Sequence, residues 1–187
     1  MIFRDEKNPL DAFQVVEVIK KFSGEVPTHS VSFTGGEPLL HWQFVRDVAS
    51  AVKNFGVKIF LETNGTLPDA LEKTLDAIDI ISMDIKLPSV DRNLFARHEK
   101  FLQAAQEKDL YVKIVVAGET MPEEFLYAVE LIANVNPKII LILQPVTPIK
   151  NISAVSAEKI LFFQAAALRK IKNVRVIPQT HKFINVL

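Results

Sequence analysis

The chain has 187 residues, 49% of them hydrophobic, which suits one domain with a substantial core. Lys+Arg and Asp+Glu both number 22, so the net charge is zero and nothing advertises nucleic acid or another polyanion as partner. Cysteine is absent, which excludes disulfides, thiolate catalysis and thiolate-held zinc or iron–sulfur sites within these residues.

No apolar run has the length that spans a bilayer, and the opening Met1–Lys7 segment is charged with no signal-peptide core. The expectation is a cytoplasmic protein with no membrane partner. Helical spacing of Phe13, Val16 and Ile19 predicts a helix over 10–22, with Asn8-Pro9 as its start. A strand is predicted over 31–34, a helix over 42–55 closed by Gly56, and a strand over 57–63 with Asn64-Gly65 as its turn. Pro68 opens a helix over 68–77, followed by a strand over 78–87. A helix over 92–108, a strand over 110–116 and a helix over 122–134 come next. A strand over 138–143, a helix over 156–172 and a strand over 174–177 complete the pattern.

Each strand thus reaches the next through a helix, which gives parallel neighbours and right-handed crossovers. The class is α/β, either a barrel or an open sheet, in a single domain over 1–187. The run Ile139–Leu143 suits a strand covered on both faces.

In parallel α/β sheets, ligands bind at the carboxyl ends of the strands. Five of the six predicted strands end in polar groups: Thr34-Gly35-Gly36-Glu37, Glu62-Thr63-Asn64-Gly65, Ser82 to Lys86, Gln144-Pro145 and Pro178-Gln179-Thr180-His181. Alternation puts Ser82, Asp84 and Lys86 on one face of their strand and Met83, Ile85 and Leu87 on the other. Such a polar row is costly to desolvate unless something pairs with it. Asp84 and Lys86 are equally suited to each other and to a polar ligand.

The segment Ser32–Leu40 is the most informative. A short apolar strand runs into two glycines and then an acid followed by proline. Paired glycines let bare backbone approach a ligand, and Glu37 offers a carboxylate to a cation. This is a device for holding a small zwitterion by its amino group. It is not the phosphate loop GxxxxGK(S/T), which needs a lysine where this chain has proline and leucine.

Each feature has a plainer alternative. Gly35-Gly36 also makes a tight turn, Glu37 also suits a helix start, and Asn64-Gly65 is a common turn pair. Gln144 also satisfies loop backbone. Glu62 lies within an apolar strand, which favours function. His29, His41 and His98 are read as surface or cap residues, and Trp42 and the phenylalanines as core. The joint placement on one rim, not any single residue, carries the functional reading.

T-G-G-E-P-L-L (Thr34 to Leu40), L-E-T-N-G-T (Leu61 to Thr66) and S-M-D-I-K (Ser82 to Lys86) resemble the radical S-adenosylmethionine enzymes. Within them, L-Q-P (Leu143 to Pro145) and V-R-V-I-P-Q-T-H-K (Val174 to Lys182) are most similar to the 7-carboxy-7-deazaguanine synthase type. The resemblance implies a partial α/β barrel and a [4Fe–4S] cluster that cleaves S-adenosylmethionine to a 5′-deoxyadenosyl radical. It implies conversion of 6-carboxytetrahydropterin to 7-carboxy-7-deazaguanine, on the route to queuosine, with a Mg²⁺ site beside the cluster. Gly35, Gly36, Glu37, Asn64, Ser82, Asp84 and Lys86 would hold S-adenosylmethionine. Thr34, Glu62, Gln144 and His181 would face the pterin. The subfamily tends to dimerise, so a homodimer is one expected state.

The family holds its cluster with three cysteines in a loop after the first barrel strand. This chain has none, and its start reads as lying beyond that loop. The expectation is that the first strand, the cluster loop and the Mg²⁺ site belong to a full-length form, and that this polypeptide as given is not catalytically competent. Truncation, a natural remnant that binds without chemistry, and a separate cluster-bearing polypeptide are the three explanations, the first preferred. Outside this reading stand a glycyl-radical-enzyme activase-like fragment and a cluster-free binding or scaffold protein.

Overall fold

A computed structural model describes residues 9–87, 92–147 and 152–180. The order of elements is α1 (Ala12–Glu25), β1 (Ser30–Phe33), a 3₁₀ turn (Pro38–His41), α2 (Trp42–Lys53), β2 (Lys58–Thr63), α3 (Pro68–Glu72), a second 3₁₀ turn (Leu75–Ala77) and β3 (Ile80–Ile85). Then come α4 (Arg92–Ala105), β4 (Asp109–Val116), α5 (Pro122–Val135), β5 (Ile140–Pro145), α6 (Ala157–Leu168) and β6 (Val174–Val176). Among the described residues all strands are parallel, in the sheet order β1-β2-β3-β4-β5-β6, so this sheet is open, with β1 and β6 at its edges.

Several element ends shift by up to four residues from the sequence reading, the helix expected over 68–77 breaks into α3 and a 3₁₀ turn, and two differences have a direct physical cause. The first helix starts at Ala12, not at Asn8-Pro9, because Asp11 caps it: its carboxylate accepts from Gln14 N at 2.8 Å, and Gln14 Oε1 accepts from Asp11 N at 2.9 Å. Pro38 opens a 3₁₀ turn before α2, where no element was predicted.

A strand order that advances one step at a time, with one crossover hand, sends every helix to the same face of the sheet. Consecutive helices accordingly pack on one another: α1 on α2, α3 on α4, α4 on α5 and α5 on α6. Beneath them lie Ile59 and Leu61, Ile81, Met83 and Ile85, Val112, Ile114 and Val116, and Leu141 and Leu143, all fully buried. Their strand neighbours Phe60, Glu62, Asp84, Tyr111, Lys113, Ile140, Ile142 and Gln144 are only half-buried. The strand at Ile139–Leu143 is therefore covered on one face, not both. Its unbroken apolar run conceals an ordinary alternation, because Ile140 and Ile142 sit on the more open face.

Other core assignments also change. Trp42 is half-buried and lies between two cations, with Lys73 Nζ 4.8 Å and the Arg46 guanidinium 5.2 Å from its ring centre. Phe13, Phe22 and Phe162 are largely exposed, whereas Phe101, Phe125 and Phe163 are core.

At the opposite rim from the predicted ligand side, Asp79 ties β2 to β3. Its carboxylate accepts from Ile59 N at 2.8 Å and pairs with Lys53 Nζ at 3.1 Å. Partial burial works against the charged form, but the Ile59 N–H and Lys53 outweigh it and hold the Asp79 pKa below its ordinary value. A carboxyl whose pKa is depressed by folding stabilises the native state above its unfolded pKa, and loses that contribution as the pH falls through the folded one. Asp79→Ala is expected to cost about 1–3 kcal/mol at neutral pH. In urea denaturation as a function of pH, the gap from wild type should close as the pH drops below the ordinary carboxyl value of 3.8. A gap independent of pH would refute the charge-based account.

Candidate functional site

The carboxyl ends of β1, β2 and β3, with the middle of β4, border an open cavity of about 180 Å³. Thr34, Gly35 and Gly36 close it from the β1 side, and Glu62, Thr63 and Asn64 from β2. Ser82, Asp84 and Lys86 line it from β3, and Lys113 from β4. Eight predicted site residues are thus brought together: Thr34, Gly35, Gly36, Glu62, Asn64, Ser82, Asp84 and Lys86.

The register explains the convergence. Glu62 lies beside Ser82, Ser82 beside Tyr111, and Asp84 beside Lys113. In a parallel sheet, paired residues point to the same face, so these side chains form one polar row across three strands. The side chains between them, Leu61, Met83 and Val112, turn under the helices.

Glu37 departs from expectation. It does not border this cavity; its carboxylate is committed to the protein. One oxygen accepts from the Thr63 hydroxyl at 2.8 Å and from Leu39 N at 3.2 Å, and the other from Asn64 N at 2.8 Å. The acid therefore fastens the end of β1 to the end of β2. Gly35 and Gly36, at φ 83° and 55°, form the bend that lets it turn inward. A Cβ at either glycine would meet no other group of the described residues within 4 Å, so they leave the space beside this backbone open. Gly65 differs: at φ 68°, a Cβ there would come within 2.3 Å of the Met83 side chain, so the β2–α3 loop lies directly on the core.

Asn64 is held by its neighbours on several sides. Its Oδ1 accepts from Thr66 N at 3.0 Å and from Thr66 Oγ1 at 2.7 Å, which leaves the amide nitrogen as its donor group. Its backbone carbonyl accepts from His98 Nε2 at 3.0 Å. His98 is thus neither a surface nor a cap residue: it is buried on α4, below this loop. His29 and His41 are exposed, as expected.

Lys113 was not anticipated. It is a single lysine between the buried Val112 and Ile114, and its Nζ lies 3.9 Å from Asp84 Oδ2. The other Asp84 oxygen, Oδ1, is buried with no hydrogen-bond partner among the described residues. Burial raises the Asp84 pKa; Lys113 and then Lys86 oppose this, and Glu62 adds to it. Tyr111 is likewise raised, chiefly by burial, with a hydrogen bond to Ser82 opposing, so its phenol stays protonated.

Gln144 and the β6 end stand apart from this group. Gln144, paired with Val115, is on the same face of the sheet at β5 but does not border it. Gln179 accepts from Thr147 N at 2.9 Å and ties the end of β6 to the segment after β5. His181 lies outside the described residues. No cluster of three or more metal-ligating side chains occurs among the described residues.

Residues 2–150 match the Radical SAM superfamily. The chain belongs to this family. A 7-carboxy-7-deazaguanine synthase from Geobacter sulfurreducens is 38% identical over 184 residues, covering 96% of this chain and 73% of that protein. One from Thermococcus kodakarensis is 32% identical over 195 residues, covering 99% of this chain and 74% of that protein. The chain is thus a radical SAM protein of the 7-carboxy-7-deazaguanine synthase family. In fold it resembles a domain of pyruvate-formate lyase-activating enzyme from Bacteroides vulgatus, with TM-score 0.65 and 18% identity over 79% of this chain and 98% of that one. It also resembles Streptococcus suis SuiB, solved bound to S-adenosylmethionine, with TM-score 0.60 and 16% identity over 94% of this chain and 45% of that one.

Two substitutions probe the geometry. In Glu37→Gln, the amide nitrogen must replace one oxygen, so either the Asn64 N–H or the Leu39 N–H, each part-buried, loses its acceptor. The expected cost is about 1–3 kcal/mol in urea denaturation; unchanged stability would show that the carboxylate is not the tether. Lys113→Met removes the main charge that opposes burial of Asp84. The Asp84 carboxyl is expected to titrate higher still in NMR, and a downward shift would contradict the pairing.

Proposed function

We propose that this chain forms the S-adenosylmethionine- and substrate-binding core of a 7-carboxy-7-deazaguanine synthase. The observation that carries this reading is the convergence of complementary polar groups on one cavity at the carboxyl ends of the strands. Acceptors come from Asp84 Oδ1, the Glu62 carboxylate and the Gly35-Gly36 backbone. Donors come from the Asn64 amide, Lys86 and Lys113. A zwitterionic amino-acid head needs both kinds of partner at close range, and the orphaned Asp84 oxygen fits a ligand N–H donor.

When bound, S-adenosylmethionine supplies a sulfonium-linked 5′-deoxyadenosyl group. Gly35 and Gly36 offer backbone at close approach. Asp84 and Glu62 accept from ammonium or ring N–H groups. Lys86 and Lys113 meet a carboxylate. Glu37 acts at one remove, by holding the loop ends together. Thr34 and Glu62 are assigned to a carboxypterin substrate, and the protonated Tyr111 stands beside Ser82 as a further donor. The fold likeness to an activating enzyme does not favour the activase alternative, because the closer sequence kinship lies with the synthases.

The residues do not fit the iron–sulfur cluster that the family implies. There is no cysteine among the 187 residues, and therefore no thiolate to hold the irons. Any cluster must take its thiolates from outside these residues, and no reaction step is assigned to the chain alone. After anaerobic reconstitution, iron analysis is expected to find well below one [4Fe–4S] per chain. A full cluster with radical cleavage of S-adenosylmethionine would refute this.

Isothermal calorimetry tests the binding reading. The expected result is saturable binding of S-adenosylmethionine and of a carboxypterin. Binding of neither would leave the cluster-free scaffold as the better description.

A further inference from the structure

We propose that His98 is a positioning residue for the ligand cradle: its neutral imidazole fixes the carbonyl of Asn64 from beneath and so sets the loop that presents the Asn64 amide to the cavity. The imidazole is 1% exposed. Its Nε2 lies 3.0 Å from the Asn64 oxygen. A carbonyl only accepts, so Nε2 must carry the proton. The other nitrogen, Nδ1, is buried with no hydrogen-bond partner among the described residues. A second proton there would place an unpaired N–H and a charge in a buried position; the Phe95 and His98 rings meet edge-to-face, with centres 6.1 Å apart.

Burial accordingly lowers the His98 pKa, and its hydrogen bond to Asn64 only partly offsets this. No carboxylate or ammonium among the described residues contributes to its titration. The donor is thus a fixed, uncharged N–H across the physiological range.

The loop is pinned from opposite sides of one residue. Glu37 takes the Asn64 N–H at 2.8 Å, and His98 supplies a donor to its carbonyl. With both peptide groups of Asn64 engaged and Oδ1 occupied by Thr66, the one polar group of Asn64 left for a ligand is its amide nitrogen. A buried histidine with one nitrogen idle makes a poor core residue. A leucine would fill such a space without leaving a polar atom unpaired. Holding the loop accounts for the imidazole.

The binding arm of the test rests on the S-adenosylmethionine reading; the second arm does not. His98→Leu removes the donor at similar volume, and His98→Gln returns an N–H near the position of Nε2. By calorimetry, the leucine variant is expected to bind S-adenosylmethionine roughly tenfold more weakly, with glutamine recovering most of the loss. Both variants are compared at a temperature where thermal melts show them fully folded, so that loss of fold does not enter the affinity difference. In the ligand-free protein, amide exchange at Gly65 and Thr66 should quicken about tenfold in the leucine variant and return toward wild type with glutamine. Nitrogen-15 spectra of His98 should show the Nε2–H tautomer. If wild type binds no S-adenosylmethionine, the functional reading fails and the exchange arm decides this one. Unchanged exchange in His98→Leu overturns the proposal. So does unchanged binding in a wild type that binds, and so does an Nδ1–H tautomer.

Discussion

The geometry of the site depends on one carboxylate that does not itself border the cavity. Glu37 reaches from the end of β1 to the Thr63 hydroxyl and the Asn64 N–H at the end of β2. Those residues lie 26 and 27 positions along the chain, so this contact is tertiary. Charge-assisted bonds to a carboxylate are worth about twice neutral ones, and here they act where strands give way to loops. Released, the Gly35-Gly36 bend would be free to move and the β2–α3 loop would lose one of its anchors. The acid thus prepares the surface on which a ligand can lie.

The second constraint is the one-sided covering of the sheet. A strand order that advances step by step places every helix on one face, and that face takes the apolar half of each strand. The other half is left to chemistry. Glu62, Ser82, Asp84, Tyr111 and Lys113 therefore need no irregular backbone to meet: the register of β2, β3 and β4 brings them into a row. Within this row two carboxylates face one lysine, and Asp84 keeps one buried oxygen without a hydrogen-bond partner among the described residues. That imbalance is what one expects of a site shaped for a ligand with its own N–H groups.

Much of this was legible in the sequence, because it follows from local periodicity. Alternation separated Ser82, Asp84 and Lys86 from Met83, Ile85 and Leu87, and the strand–helix pattern implied a parallel sheet. The inward turn of Glu37 was not legible, since its partners come from another strand. Lys113 was missed although a signal existed: Tyr111 and Lys113 alternate with Val112 and Ile114. His98 also left a trace. Phe95, His98, Leu102 and Ala105 share one helical stripe, which places the histidine on the buried face of α4. What the stripe could not show was the carbonyl above it. The apolar run at Ile139–Leu143 misled because isoleucines occupy both its buried and its half-open positions.

On the reading proposed above, the rim around Gly35-Gly36 is where this protein meets its small-molecule ligand. The most direct measurement is a nitrogen-15 amide NMR titration of the intact chain with S-adenosylmethionine. The account predicts saturating shifts concentrated at Gly35, Gly36, Asn64 and Ser82, with the helix-covered side unchanged. Shifts confined to the outer helices, with the rim silent at saturation, would contradict it.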